Sequence, residues 1–256
     1  MKKLITLVLI MSAIVSCRKT SPMESSKDTL KVEEKNMSVI SKRTATWCGP
    51  CGSSGFPLFE NLKTQYGNDA VYMAWKDAFV TEKGSHLFDT VGPAFNLGNS
   101  VPTFFANFQK DWNDSMVKSH INAEYVIANS NYDMSVEGQK VSIKTTTQFF
   151  TDVEGEFYIA PYMIVDNIVG YQNGHPDENN TVHHNYVASI AIPTTVNGDS
   201  DFGYQITTKG ADRGFTVNLN FETNKNPTWQ TRDISFALII FKKQSWGLEF
   251  INGFTK

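Results

Sequence analysis

The residues best equipped for chemistry lie in one short run, Trp47-Cys48-Gly49-Pro50-Cys51. Two cysteines with a two-residue spacer can work as a dithiol. The first, as thiolate, attacks a disulfide in a partner molecule, and the second attacks the resulting mixed disulfide and frees the partner. The first sulfur must therefore ionise easily, and the start of a helix helps, because its first-turn N–H groups lack intrahelical partners and carry partial positive charge. The flanking pattern predicts that placement. An extended run ending near Thr46 leads into the pair, and Leu58, Leu62 and Tyr66 then recur at helical spacing before Gly67, a residue suited to ending a helix.

Other uses of the pair are open at this level. A purely structural disulfide would close a four-residue loop worth only about 2 kcal/mol of chain entropy, against about 3 for fifteen residues. A zinc site needs two further ligands, and His86, His120, His175, His183 and His184 offer no second pair at suitable spacing. His183 and His184 are adjacent, so on a strand their rings would point to opposite faces and could not easily share one ion; no metal is expected. A chance pair is the remaining alternative.

Three cysteines in 256 residues are too few for a disulfide scaffold. With 23 Lys and Arg against 26 Asp and Glu, the chain has no basic field for a phosphate backbone, so no nucleic-acid partner is expected. Lys2 and Lys3 precede a mostly apolar run from Leu4 to Val15, then Ser16 and Cys17, the order of a secretory signal. The run is shorter than the about 20 residues of a membrane-spanning helix. Cys17 directly after Ala13-Ile14-Val15-Ser16 resembles the bacterial lipobox, which implies cleavage before Cys17 and lipidation there. That would leave Cys48 and Cys51 as the free thiols of an anchored, mildly acidic protein.

Residues 1–16 thus read as a lipoprotein signal peptide. Residues 17–36, rich in Ser, Lys and Glu, read as a flexible tether. From 37 to 131 helical and extended patterns alternate, and from 132 to 256 nearly everything is strand and turn, with the change of texture near Asn129-Ser130-Asn131. Phe215, Val217, Leu219 and Phe221 alternate with polar residues, as do Val141, Ile143, Thr145 and Thr147, while Ile234 to Phe241 is apolar on both faces and predicts a central strand. Glu154-Gly155, Asn197-Gly198, Lys209-Gly210 and Asn252-Gly253 are expected to be turns. Trp229 and Trp246 are expected in the core or at its rim.

Trp47-Cys48-Gly49-Pro50-Cys51 is identical to the active-site motif of thioredoxins, and the following order, Ala70 to Trp75 extended, a helix, then Ser100-Val101-Pro102-Thr103-Phe104-Phe105, resembles that superfamily. The resemblance implies that Pro102 is cis and lies against the disulfide, that the Val101 backbone presents an extended substrate segment beside Cys48, and that Trp47 shields the pair. It implies catalysis by Cys48 and Cys51 without a further cofactor. The Gly49-Pro50 spacer resembles that of reducing members, which implies resupply by a membrane electron donor. Two features depart from the pattern: Lys42 stands where thioredoxins place a buried acid and would modulate the cysteine pKa, and Gln109 to Asp114 is too short and polar for the edge strand expected before a helix from Ser115 to about Ala128.

Asp166 to Gln172 and Val182 to Val187, with the lipobox and the cysteine motif, resemble the "outer membrane protein twenty-eight" lipoprotein family. The architecture this implies is an α/β thioredoxin-like N-terminal domain followed by an all-β, sandwich-like C-terminal domain, lipid-anchored at the outer membrane and acting on protein thiols or disulfides. The alternative is a non-catalytic surface lipoprotein whose β-rich half binds a partner.

Overall fold

The computed structural model describes residues 30–75, 82–194 and 201–256, and within them the protein is sheet-rich with few helices. The signal, Cys17 and the turn expected at Asn197-Gly198 lie outside the described residues. In chain order come β1 (Ser38–Arg43), α1 (Phe56–Tyr66), β2 (Ala70–Trp75), α2 (Glu82–Ala94), β3 (Thr103–Ala106) and α3 (Asp114–Ile121). The long strands β4 (Ala128–Glu137), β5 (Lys140–Phe149) and β6 (Val153–Val165) follow, then β7 (Ile168–Gly170), β8 (Thr181–His183), β9 (Tyr186–Ile190) and β10 (Ile192–Pro193). The chain closes with β11 (Tyr204–Ala211), β12 (Thr216–Asn224), β13 (Ile234–Gln244) and β14 (Gly247–Phe254).

An eight-stranded sheet runs β14-β13-β6-β9-β2-β1-β3, with β11 also on β6; four strands form a second sheet, β10-β12-β5-β4, and β7 pairs with β8. β1 and β2 are parallel and β3 is antiparallel to β1. The large sheet thus passes without a break from the first half of the chain into the second, the two being joined where β2 meets β9 at Ala74 and Tyr186. The texture change near residue 131 falls inside β4. There Ser130 Oγ meets Thr147 Oγ1 at 2.7 Å and the Asn129 amide donates to the Glu33 carbonyl, so this polar run is buried strand rather than linker.

Side-chain alternation along the central strands explains how one sheet serves two cores. On β13, Phe236, Leu238 and Ile240 face the smaller sheet, together with Phe157, Ile159, Met163 and Val165 of β6. Ala237, Ile239 and Phe241 face the other way, onto Val39, Val71, Met73, Trp75 and the α2 residues Leu87, Phe88 and Val91. The run from Ile234 to Phe241 is therefore apolar throughout because both its faces are covered. α1 packs a third cluster, built from Ile40, Phe59, Leu62 and Tyr66, on the opposite face of β1.

Several details differ from the sequence reading. Phe59 rather than Leu58 faces the core, since a step of seven residues to Tyr66 nearly completes two helical turns whereas a step of eight overshoots. Gly155, Gly210 and Gly253 lie within β6, β11 and β14 rather than at turns; Gly210 sits at a bulge, and a Cβ on Gly253 would come 2.9 Å from Val39 Cγ2, so a close crossing of strands selects it. α3 stops at Ile121, where the Asn122 side chain and backbone both donate to the Lys118 carbonyl. No further strand pairs with β3 among the described residues; an isolated bridge between Ala106 and Gln109 stands in its place. Residues 30–36 are laid against β4 and β5, the Leu30 N–H donating to Thr146 Oγ1 and the Asn131 amide to the Lys31 carbonyl. Trp229 packs at the rim of the core, whereas Trp246 is exposed in the turn between β13 and β14.

Candidate functional site

The cysteine pair sits where β1 has ended and the chain turns into a helix. Thr44 still reaches the Trp75 carbonyl, a turn brings the Cys48 N–H to the Ala45 carbonyl, and helical structure begins at Gly49. Pro50 occupies the first turn, where a missing N–H costs nothing. From Cys51 to Gly55 the helix takes one π-helical turn before continuing as α1, a local widening common at functional sites.

Cys48 and Cys51 are joined by a disulfide, their Cα atoms 5.2 Å apart. The Cys51 N–H, which reaches the Cys48 carbonyl at 3.1 Å, also points to Cys48 Sγ at 3.2 Å, so the first sulfur shares an amide of the helix's first turn. Both cysteines are nearly covered, at 4% and 2% exposure, while Trp47 beside them is 71% exposed. The Val101–Pro102 peptide is cis, and Pro102 packs on the same helix, its Cβ 3.1 Å from where a Cβ on Gly55 would stand. Trp47, Gly49, Pro50 and both cysteines thus lie at the amino end of one helix, and Pro102 rests on that helix at Gly55, four residues past Cys51.

Lys42 lies on β1 facing α1. It is buried, with Nζ 4.5 Å from the Phe59 ring centroid, 4.9 Å from Phe56 and 5.9 Å from Tyr186, a set of cation–π contacts beneath the helix that carries the disulfide. Strand alternation places it: Ile40 and Lys42 share the α1 side, whereas Arg43 turns to the Phe88 ring of α2. His183 on β8 joins this group. Its ring meets Phe56 edge-on, and Nδ1 is 3.2 Å from the Tyr186 hydroxyl. His184, the residue after β8, lies toward Asp166, its Nδ1 3.6 Å from Oδ1.

Burial, and then the positive charge of Lys42, push the His183 pKa down to about 4, with smaller effects from His175 and His184 against a backbone hydrogen bond to Gly170. A histidine whose folded pKa lies below its unfolded value of about 6.5 contributes stability above that pH and loses it as pH falls. We expect urea unfolding to report a loss of about 2–3 kcal/mol between about pH 6.5 and pH 4, and His183→Phe to flatten that part of the profile. An unchanged slope in the variant would assign the acid sensitivity elsewhere.

The sequence motifs left out one part of the site. The turn Gln172-Asn173-Gly174-His175, between β7 and β8, lies directly on the cysteine loop. Gln172 is 1% exposed, and its Nε2 lies 3.2 Å from the Ala45 carbonyl, 3.4 Å from that of Thr46 and 3.2 Å from that of Cys48. The Asn173 N–H donates to the Thr46 carbonyl at 2.8 Å and its side-chain amide to the Trp47 carbonyl at 2.9 Å. Two glycines make this approach possible. A Cβ on Gly52 would come 2.2 Å from the Asn173 carbonyl oxygen, and one on Gly174, whose φ is +79°, 2.3 Å from that of Gly49. The cue in the sequence was Gln172 closing the Asp166-to-Gln172 run, followed by turn formers through Asp177; nothing local tied it to a loop more than a hundred residues away.

No family model matches the sequence, and no curated protein matches it. Among solved structures the chain is similar to HBP35 of Porphyromonas gingivalis, with a TM-score of 0.62 and 16% identity, covering 88% of this chain and 76% of that one. It is also similar to a domain of the outer membrane lipoprotein Omp28 from Porphyromonas gingivalis, with a TM-score of 0.31 and 10% identity, covering 51% of this chain and 86% of that one. The first likeness shows a common fold; the second is too slight to carry an argument.

Proposed function

We propose that the chain is a cell-envelope lipoprotein of the Omp28-like kind, with thioredoxin-like thiol–disulfide oxidoreductase activity on protein disulfides. The observation that carries this reading is the Cys48–Cys51 disulfide at the start of a helix, with the Cys51 N–H on Cys48 Sγ. The β1-α1-β2 unit with β3 antiparallel to β1, and Pro102 packed on Gly55, supports a thioredoxin-like first half joined to a β-rich second half. The lipobox at Cys17 supports anchoring at the outer membrane.

In the reduced protein, the Cys48 thiolate forms a bond to one sulfur of a client disulfide. The client S–S bond breaks, and the other client sulfur leaves as a thiolate and takes up a proton. Cys51, deprotonated, then attacks Cys48 Sγ and expels the second client thiolate. The client is reduced, the protein ends with its own disulfide, and a dithiol-bearing electron donor at the membrane must restore it. Trp47, exposed at the mouth, and the Val101–Pro102 segment would receive the client chain. In an insulin-reduction assay coupled to a dithiol reductant, the parent should accelerate precipitation while Cys48→Ala should run at the uncatalysed rate. Equal rates for the two would reject the reading.

One observation favours a second reading, a surface lipoprotein that keeps the pair only as a fastening. Both sulfurs are nearly covered, and a buried cation, Lys42, occupies the position of the thioredoxin acid. On that reading Cys48→Ala would leave partner binding intact, and the parent would be inert toward insulin.

A further inference from the structure

We propose that Gln172, assisted by Asn173, is a positioning residue for Cys48, so that the β-rich half of the chain completes the redox centre. The proposal rests on the thiol–disulfide reading above and assigns to it a residue far from the cysteine motif in sequence.

The segment from Thr44 to Cys48 connects a strand to a helix, and where its carbonyls accept local amides, Ala45 from Cys48 and Cys48 from Cys51, those bonds do not reach beyond the turn itself. Gln172 supplies what is missing. A buried primary amide has two N–H groups, and here they are shared among the carbonyls of Ala45, Thr46 and Cys48, on both sides of the turn that delivers the first cysteine, with the Asn173 carbonyl as a further acceptor. Asn173 adds two more bonds, to Thr46 and Trp47. Every residue from Ala45 to Cys48 therefore has its carbonyl tied to one short turn.

That turn is itself held from behind. The Gln172 N–H donates to the Glu178 carbonyl at 2.7 Å, the Gly174 N–H to Glu178 Oε1 at 2.8 Å, and Thr181 Oγ1 to the Asp177 carbonyl at 2.8 Å. The His175 ring packs edge-on against Phe56 at 4.8 Å, fixing the turn to the helix as well. A side chain merely filling space would not need a buried donor directed at three carbonyls, since burying an amide is favourable only when its hydrogen bonds are made. The consequence falls on the sulfur. The Cys51 N–H can stabilise a Cys48 thiolate only while the turn keeps Sγ in front of it, and a turn freed from Gln172 would sample positions where that bond is lost.

The test uses the full chain, reduced, with the Cys48 pKa read from the pH dependence of its alkylation by iodoacetamide. Gln172→Met keeps length and packing but removes the donor. Thr208→Val breaks the hydrogen bond from the Thr208 hydroxyl to the Gly155 carbonyl, between β11 and β6 and away from the cysteine loop, and serves as the stability control. Gln172→Met should raise the Cys48 pKa by about one unit and slow alkylation near neutral pH several-fold, while Thr208→Val lowers the melting temperature and leaves the titration where it was. Asn173→Ala should move the pKa in the same direction by less, and carries the test if Gln172→Met does not fold. Parental titration in Gln172→Met, or in Asn173→Ala when it stands in, would overturn the proposal. A parent that fails to reduce insulin, yet whose Cys48 titration shifts in Gln172→Met, would remove the catalytic reading and leave the positioning role standing.

Discussion

Residues 37–131 expressed alone will not fold. That stretch contains both cysteines and the first three strands, but its second core is completed by Tyr162, Ile164, Val187, Ala237, Ile239 and Phe241 from the rest of the chain. Cutting after residue 131 also divides β4 and leaves the β2 edge without β9. Exposing a buried Val, Ile or Phe costs about 1.5–3 kcal/mol each, and Val39, Val71, Trp75 and Phe88 would all lose cover, against a typical total stability of about 5–15 kcal/mol. Circular dichroism and limited proteolysis of the fragment should show no cooperative transition. A fragment that melts cooperatively would mean that the shared sheet is dispensable, and that the two halves are separate bodies after all.

The second large effect belongs to Gly52. Replacing it with alanine places a methyl group 2.2 Å from the Asn173 carbonyl oxygen and 2.6 Å from the His175 nitrogen, both backbone atoms that cannot swing aside. Overpacking of this kind costs about 3 kcal/mol or more and, for a chain of this size, roughly 10 °C in melting temperature. Gly49→Ala is the control three residues away in the same helix: its new Cβ would lie 3.8 Å from Asn173, an ordinary contact, so its stability should stay within about 0.5 kcal/mol of the parent. The contrast is read by thermal melts of the three oxidised proteins. Equal melting points for Gly52→Ala and the parent would show that the turn between β7 and β8 does not rest on the cysteine loop.

The features legible in the sequence were those written in neighbouring residues. The extended run before Cys48 and the helical spacing after Cys51 put the pair at a helix start, alternation located β5 and β12, and a continuous apolar run located the doubly buried β13. What escaped was written in contacts between distant segments. Glycine pairs in β6, β11 and β14 read as turns because a close strand crossing and a bulge select the same residue as a bend. Asn129-Ser130-Asn131 read as a change of texture between two regions because a polar run whose side chains bond to Glu33, Thr147 and Lys31 has the composition of a loop. Gln172 went unnoticed for the same reason, since its partners lie more than 120 residues upstream. Lys42 was identified by position alone, and only the fold places it among the rings of Phe56, Phe59 and Tyr186.

The termination of the large sheet at β3 bears on how the molecule behaves at high concentration. A row of unpaired backbone groups along a border strand is an invitation to a neighbouring copy, and long flat borders nucleate aggregates. Here that border is four residues long, and the left-handed residues Asn107 and Phe108 fold the chain back so that Gln109 closes onto Ala106. The border at β3 is thus short and plugged at its end, which leaves too little free backbone there for another chain to zip onto.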